Sequence, residues 1–291
     1  MRIHSIECGS MRPFGGRLWD GETRGFGPAH LACRCLLAET EAGLVLIDTG
    51  FGLEDVNQPV PRLNTAFYLA DRVHLEADET AISRIRQLGL DPRDVRHIVM
   101  THLDFDHAGG LTDFPWATVH VHAVELAASR RRAGAIARGR YRPAQLAHPM
   151  EEYSLPGPMW FGLPTIRGLE GLPPSIFLVP LPGHTAGHCG VALETPQGWV
   201  LHAGDTVFMH SELEPPMRMP PLAAAYANVM QVNREARLQS RRMLRALARE
   251  HGDEVTILCT HDPVLPSGAA ARLVTQAGAG VRAPEPAPPS A

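Results

Sequence analysis

The segment Met100-Thr-His-Leu-Asp-Phe-Asp-His-Ala-Gly-Gly110 constrains the fold more than any other part of the chain. It follows an apolar run that predicts a buried strand, and it ends in a glycine pair that predicts a turn. Because α/β folds place their chemistry at the carboxyl ends of strands, this spacing indicates a metal site. The alternative is that Asp106 only caps the next helix, with the histidines on a loop. The candidate ligands are His102, Asp104, Asp106 and His107.

The composition is typical of a folded globular protein. A length of 291 residues, 44% of them hydrophobic, fits one large α/β domain or two small ones. A net charge of -4 argues against a nucleic-acid-binding surface. All 27 basic residues are Arg, so chemistry that needs a lysine, such as a Schiff base or a P-loop, is excluded.

The five cysteines are sparse and odd in number, so they do not predict a disulfide framework. Cys33 and Cys35 lie two apart in an alternating run and would share one face of a strand. This placement favours buried free thiols over a metal clip.

We expect one domain over residues 1–282 and a disordered tail over residues 283–291, which is rich in Pro and Ala. The N-terminus has no apolar signal region. No later run approaches the ~18 apolar residues that span a membrane. A cytoplasmic location without membrane association is therefore the expectation.

Apolar periodicity predicts strands that alternate with helices and irregular segments. The Arg-rich stretches 129–132 and 138–142 favour a solvent-exposed face, with attraction of an anionic substrate as the alternative. The predicted strands cover residues 2–7, 31–38, 43–50 with a closing glycine turn, 117–122, 175–181, 198–201 and 256–261. The predicted helices cover 79–88, a segment that starts at Val124, and 228–249, in which Val232, Leu238, Leu244 and Leu247 are expected to be buried.

Two segments between these elements are candidates for the substrate pocket. Residues 51–78 are irregular and would form a pocket wall or a subunit contact. Residues 149–175 are rich in Pro and Gly, which is typical of a functional lid. We expect an apolar pocket because aromatic and other apolar residues lie in the segments around it, namely Phe67, Tyr68, Met159, Trp160, Phe161 and Phe208.

Three further strands end in a residue that can bind a metal, namely His184, Asp205 and His261. This recurrence strengthens the metal-site interpretation, since each motif alone is weak. Asp48 also ends a strand, and its sequence leaves two roles open. It would either form an Asx turn or support the metal ligands.

With these residues the sequence resembles the metallo-β-lactamase superfamily, and within it the N-acyl homoserine lactonase group. The resemblance runs from the Ile47-Asp-Thr-Gly turn to His261. It implies an αββα sandwich, with two mixed β-sheets flanked by helices and two divalent ions at the strand ends. Zinc is expected, with manganese or iron as alternatives. By correspondence, one ion binds His102, Asp104 and His184, the other binds Asp106, His107 and His261, and Asp205 bridges them.

Two positions depart from the family pattern. Asp104 replaces a histidine, so the motif is H-x-D-x-D-H. Phe208 stands where the lactonase group commonly has a tyrosine that contacts the substrate. The carboxylate of Asp104 lowers the charge of the site and is a harder donor, which favours Mn or Fe relative to Zn. Asp104→His should therefore favour Zn and lower the pH at which activity rises.

The resulting hypothesis is a dinuclear hydrolase that cleaves a hydrophobic ester or lactone through a hydroxide shared by the two metal ions. Asp106 and Asp205 are the candidate catalytic residues, and a homodimer is compatible with the sequence. Alternatives are an iron-binding redox or oxygen-handling protein, or a binding member with low turnover. The proton donor to the leaving group is not evident, because His188, His202 and His210 are better explained as core or supporting residues.

Overall fold

A computed structural model describes residues 1–266 and 269–275. Two mixed β-sheets face each other, and helices cover their outer faces, so the predicted αββα sandwich is confirmed. The tail over residues 283–291, and with it the predicted domain boundary, lies outside the described residues. No described helix combines the length and the apolar character that crossing a bilayer requires.

The larger sheet has eight strands among the described residues, in the order β12-β1-β2-β3-β5-β6-β7, with β4 paired to β1. Neighbours β1, β2 and β3 are antiparallel, whereas β3, β5, β6 and β7 are parallel. The strands are β1 Arg2–Met11, β2 Leu31–Thr40, β3 Gly43–Ile47, β4 Val73–His74, β5 Val95–Val99, β6 Thr118–His122, β7 Met150–Tyr153 and β12 Val274–Thr275.

The smaller sheet has the order β11-β10-β9-β8. Its strands are β8 Ile176–Pro180, β9 Cys189–Thr195, β10 Gly198–His202 and β11 Val255–Leu258. The helices are α1 Arg17–Asp20, α2 Leu53–Asn57, α3 Pro59–Arg62, α4 Thr65–Ala70, α5 Ala81–Gln87, α6 Phe105–Ala108, α7 Ala123–Arg131, α8 Ala135–Arg140, α9 Pro221–Met230 and α10 Arg234–His251. Short 3-10 turns lie at Ala77–Glu79, Pro92–Asp94, Gly109–Asp113, His210–Glu212 and Ala269–Ala271.

Strand β3 illustrates how alternation builds the layers. Val45 and Ile47 point into the core between the two sheets. Leu44 and Leu46 point to the opposite face, where they pack with Ile82 of α5. Successive side chains of a strand face opposite sides, so one strand contributes to both apolar layers. The larger sheet is therefore covered on both faces, and its chemistry is confined to the strand ends.

The structure corrects the predicted helices. The segment 228–249 is not one helix, because the chain is extended between α9 and α10 and Asn233 caps the second helix through Ala236 N. Val232 lies in that break and is 54% exposed, and Leu238 is only half-buried. Residues 51–78 are not irregular, since they form α2, α3, α4 and β4. All five cysteines are buried and free, as predicted for Cys33 and Cys35.

Candidate metal centre

The seven predicted ligands converge at one edge of the sandwich. Each follows the end of β5, β8, β10 or β11, and the carboxyl ends of these strands open into the same narrow cleft. All seven side chains are buried, although four are histidines and three are aspartates. Burying so many ionisable groups is costly unless they are paired or coordinate a metal.

The first group of candidate ligands consists of His102, Asp104 and His184. The Oδ2 atom of Asp104 lies 3.0 Å from Nε2 of His184 and 3.6 Å from Nε2 of His102. One ligand atom of each residue lies within 4.8 Å of the others. Asp104 therefore occupies the place that the family pattern gives to a histidine.

The second group consists of Asp106, His107 and His261. The Oδ2 atom of Asp106 lies 3.7 Å from Nε2 of His107 and 3.6 Å from Nε2 of His261. Cys33 also has its sulfur within 4.8 Å of ligand atoms of Asp106 and His261. The sequence did not place this thiol at the site, because its neighbours come from distant strands. Burial raises the pKa of Cys33 well above its usual range.

Asp205 lies between the two groups. Its Oδ1 is 3.3 Å from Nε2 of His107, and its Oδ2 is 3.1 Å from Nε2 of His261. The same Oδ2 is 3.5 Å from Nε2 of His184 and 4.0 Å from Nε2 of His102. This carboxylate is the residue best placed to contact both halves of the site.

Asp48 fixes the central loop, which decides between its two predicted roles. Its Oδ1 accepts the backbone N–H of Thr101, and its Oδ2 accepts the hydroxyl of Thr101 and Nδ1–H of His107. The residue has φ 55°, a conformation that Asp tolerates better than most residues. Burial alone would raise the pKa of Asp48, but the neighbouring His107 holds it below its usual value.

Two more histidines are oriented by a bond to Nδ1. The hydroxyl of Thr101 donates to Asp48, so its oxygen accepts from Nδ1–H of His102, 2.9 Å away. The Nδ1–H of His261 donates to the carbonyl of Ala32 at 2.8 Å. Each ring therefore directs Nε2 toward the ligand carboxylates, at 3.6 Å from Oδ2 of Asp104 for His102 and at 3.6 Å from Oδ2 of Asp106 for His261.

Arg140 is the largest departure from the sequence-based expectation. The Arg-rich segment was predicted to be solvent-exposed, yet Arg140 is fully buried. Its guanidinium donates to the carbonyls of His184 and Met230, and its Nε lies 3.5 Å from Oδ1 of Asp104. Burial opposes the charge on both groups. Their mutual attraction nevertheless raises the pKa of Arg140 and, with nearby histidines, holds that of Asp104 well below its usual range.

Glu125 joins two of the ligand-bearing loops. Its Oε1 accepts the N–H of Leu103 and the hydroxyl of Tyr141, and its Oε2 accepts the hydroxyl of Thr185 and the N–H of Gly187. The side chain is fully buried on α7, so these four donors replace its water shell. The sequence offered one signal, an acidic residue inside an otherwise apolar helical turn.

The remaining histidines near the motifs have supporting positions. Nε2 of His188 accepts the backbone N–H of Asp205 and so positions that carboxylate. His202 bonds to a backbone carbonyl of β2. His210 pairs with Asp262 at 2.6 Å, and this bond raises the pKa of the imidazole.

The walls of the cleft differ from those predicted. Phe208 lines it, but Trp160 packs against Phe177 and Trp199 beneath the smaller sheet, and Met159 is exposed. Residues 149–175 therefore do not provide the predicted substrate wall at this position. Apolar contacts come instead from Phe105 of the central motif and from five residues in segments without a recognisable motif, namely Met11, Trp19, Leu31, Tyr226 and Met230.

The known proteins that this chain resembles are metal-dependent hydrolases and lactonases. The family model described as the Metallo-beta-lactamase superfamily matches residues 29–249. The chain is 37% identical over 267 residues to the probable metallo-hydrolase Rv2300c of Mycobacterium tuberculosis, covering 91% of this chain and 81% of that protein. It is 31% identical over 187 residues to the N-acyl homoserine lactonase AiiA of Bacillus thuringiensis subsp. kurstaki, covering 64% of this chain and 68% of the relative.

Solved structures support the same fold. An N-acyl homoserine lactone hydrolase with the product N-hexanoyl-L-homoserine at its catalytic metal center matches with a TM-score of 0.66. That match has 21% identity and covers 90% of this chain and 93% of the other. A probable metal-dependent hydrolase from Staphylococcus aureus matches with a TM-score of 0.64 and 19% identity, covering 90% and 89%.

Proposed function

The chain belongs to the metallo-β-lactamase superfamily, and on that premise we propose that it is a dinuclear metal-dependent hydrolase that cleaves a lactone or a related ester. Zinc is the proposed ion, because imidazole and carboxylate groups both suit it. Asp104 makes one position harder, which also admits manganese or iron. The proposed ligands are His102, Asp104 and His184 for one ion, Asp106, His107 and His261 for the other, and Asp205 between them.

One observation carries this proposal, the orientation of His102 and His107. Each ring donates through Nδ1 to a fixed acceptor, so a neutral ring presents only a lone pair at Nε2. These lone pairs face carboxylate oxygens, which also only accept. The Nε2 atoms of His102 and His107 accordingly have no hydrogen-bond partner among the described residues. A cation between the two sets of acceptors satisfies both, so the residues fit a metal site.

When bound, divalent ions supply the positive charge that polarises a carbonyl group and activates water. The contribution of the chain itself is positional. Asp48 holds the ring of His107, and His188 holds the backbone of Asp205, so the donor atoms are set before any ligand arrives. The apolar walls of the cleft exclude bulk water and favour substrates with hydrophobic groups.

The substrate class rests on the walls of the cleft and on the relatives. The AiiA relative is named an N-acyl homoserine lactonase, and such a lactone combines a cyclic ester with an apolar acyl chain. The relative with the wider coverage is named only a probable metallo-hydrolase. We therefore assign this chain to lactones and esters with an apolar substituent as a class.

The test is elemental analysis of the purified protein, followed by assay with lactones, aryl esters and phosphotriesters. We expect two metal ions per chain and hydrolysis of carbonyl esters. Asp205→Asn should lose metal and activity together, because an amide is neutral and a poorer bridge. Asp94→Asn, which changes an exposed carboxylate, is the control.

Two metal ions per chain in Asp205→Asn would contradict the bridging role of Asp205. Absence of hydrolysis across the panel by the metal-loaded wild type would contradict the assignment as a hydrolase. Oxygen consumption by the iron-loaded protein, in place of hydrolysis, would favour the redox alternative.

A further inference from the structure

A tyrosine side chain lines the cleft, although it does not come from the position that the family pattern predicts. Phe208 occupies that position and its ring packs 5.2 Å from the ring of His261. Tyr226 reaches the same cleft from α9, and its ring lies 6.4 Å from Phe208. The ring of Trp19 on α1 meets it edge-on at 5.7 Å, which fixes the plane of the phenol.

No other tyrosine can take this place. The chain has four tyrosines, and all of them lie in the described part. Tyr141 donates to Glu125 in the core, and Tyr153 bonds to His120 on the far strands of the larger sheet. Tyr68 lines a separate, open groove with Arg72. Only Tyr226 is among the residues that line the cleft of the candidate metal centre.

The hydroxyl of Tyr226 has a fixed partner in Asp71. The phenol oxygen lies 3.4 Å from Oδ2 of Asp71, which is 5% exposed and lines the same cleft. Within the described residues, Tyr226 is the one side-chain hydrogen-bond partner of Asp71. This long contact directs the phenol hydroxyl toward Asp71, within the cleft that Asp104, Asp106 and Asp205 also line.

We propose that Tyr226 is a catalytic residue that hydrogen-bonds the leaving oxygen of the substrate, and that Asp71 is the positioning residue that orients its hydroxyl. This inference rests on the proposed function. As the ester C–O bond breaks, negative charge collects on the leaving oxygen. A fixed phenol donor stabilises that charge more than it stabilises the intact ester, which is the requirement for catalysis.

The surroundings of Asp71 suit this role. Burial and the nearby Asp106 raise its pKa to about 7, against the opposing effects of Tyr226 and His261. The phenol donates this hydrogen bond to Oδ2 of Asp71, which also lines the cleft, and a leaving oxygen bound there would take the phenol hydrogen in place of Asp71. Burial also raises the pKa of Tyr226 well above its usual range, so the phenol keeps its hydrogen at neutral pH.

The test compares Tyr226→Phe with wild type on two ester classes. A lactone or alkyl ester expels a basic alkoxide, whereas a 4-nitrophenyl ester expels a stable phenolate that needs no donor. We expect kcat/KM to fall by about 100-fold for the alkyl class, the typical effect of losing one such donor. For the nitrophenyl ester we expect little change. Asp71→Asn should keep most activity, because its amide oxygen can still accept from the phenol, whereas Asp71→Ala should not.

Tyr153→Phe is the matched control, because it removes a phenol hydroxyl outside the cleft. Metal content of every variant is measured by elemental analysis. Equal losses on both ester classes, no loss on either, or loss of metal from Tyr226→Phe would overturn the role of Tyr226. If wild type hydrolyses neither class, the proposed function itself fails, and the two failures are thereby distinguished.

Discussion

At the residue scale, Asp104 and Arg140 have to be considered together. Asp104 lowers the charge of the site by one unit relative to the histidine of the family pattern. The buried guanidinium of Arg140, 3.5 Å from Oδ1 of Asp104, returns that unit. Arg140 lies in an Arg-rich run that predicts exposure, so the sequence does not indicate this compensation. The harder donor remains, so the predicted tolerance of Mn or Fe is unaffected.

We expect Asp104→His to lower the free energy of unfolding by about 3 kcal/mol, since removing one partner of a buried pair leaves an uncompensated charge. Adding Arg140→Met should recover part of this loss. The single variant should also shift metal preference toward Zn and lower the pH at which activity rises, because the site becomes more positive. Urea denaturation of the metal-free variants and pH profiles of the Zn and Mn forms are the measurements. If Asp104→His were as stable as the wild type, the charges of Asp104 and Arg140 would not depend on each other.

Glu125 is not a candidate ligand, but its replacement should also affect the metal site. Glu125→Gln keeps the shape of the side chain but turns its NH2 group toward donors that need an acceptor. We expect a loss of about 2–3 kcal/mol in the free energy of unfolding and weaker metal retention, since charged hydrogen bonds are replaced by unsatisfied groups. Tyr141→Phe removes only one donor and should cost about 1 kcal/mol. Similar unfolding midpoints for the two variants would contradict the joining role of Glu125.

At the scale of elements, α1 and α9 each contribute an aromatic wall to the cleft. Trp19 and Tyr226 meet across it, and the cavity beside the candidate ligands has a volume of about 20 Å³. That is room for roughly one water molecule, so an acyl chain has to displace the apolar walls. Trp19 is the larger of the two aromatic walls contributed by these helices. Its size should therefore limit the acyl group that the enzyme accepts.

We expect Trp19→Ala to raise the ratio of kcat/KM for long over short acyl substrates by roughly tenfold, because apolar pockets discriminate by 1–3 kcal/mol per small group. Trp160→Ala is the matched control. Its ring packs in the core beneath the smaller sheet, so it should lower stability and leave the ratio unchanged. An unchanged ratio in Trp19→Ala, or an equal change in both variants, would mean that α1 does not limit access.

At the scale of the whole molecule, the site connects the two sheets. Its ligands follow strands of both sheets, and all of them are buried. Ions that bind only the folded state should therefore stabilise the entire sandwich.

We expect chelation to lower the melting temperature by about 5–15 °C, the shift that corresponds to a ligand present at 100 to 1,000 times its Kd in a domain of this size. Readdition of Zn or Mn should restore it. Asp205→Asn should show a smaller shift on chelation, because it starts with less metal. Calorimetry of all three samples is the measurement, and equal melting temperatures with and without chelator would contradict the coupling of metal binding to stability.

The sequence alone predicted the strands and the residues that follow them, and its resemblance to a known family implied the layered fold and the set of seven candidate ligands. Apolar runs of period two locate strands, and a ligand-type residue directly after a strand must lie at the strand's end. The apolar alternation and the residue that follows each strand are both local features, so they can be read from one sequence without tertiary information. The same local character explains why His102, His184 and His261 were found although they lie far apart in the sequence.

Only the tertiary structure decided the positions of Arg140, Asp71 and Tyr226, and separated Trp19 from Trp160 as a cleft wall. Each of these side chains contacts a partner from a distant element, and its own segment has no periodic or spacing signal for that partner. An arginine in a basic run is exposed unless a carboxylate meets it in the core, and an aromatic residue packs wherever an apolar surface reaches it. These side-chain contacts depend on how α1, α8 and α9 pack onto the sheets, which no local sequence pattern specifies.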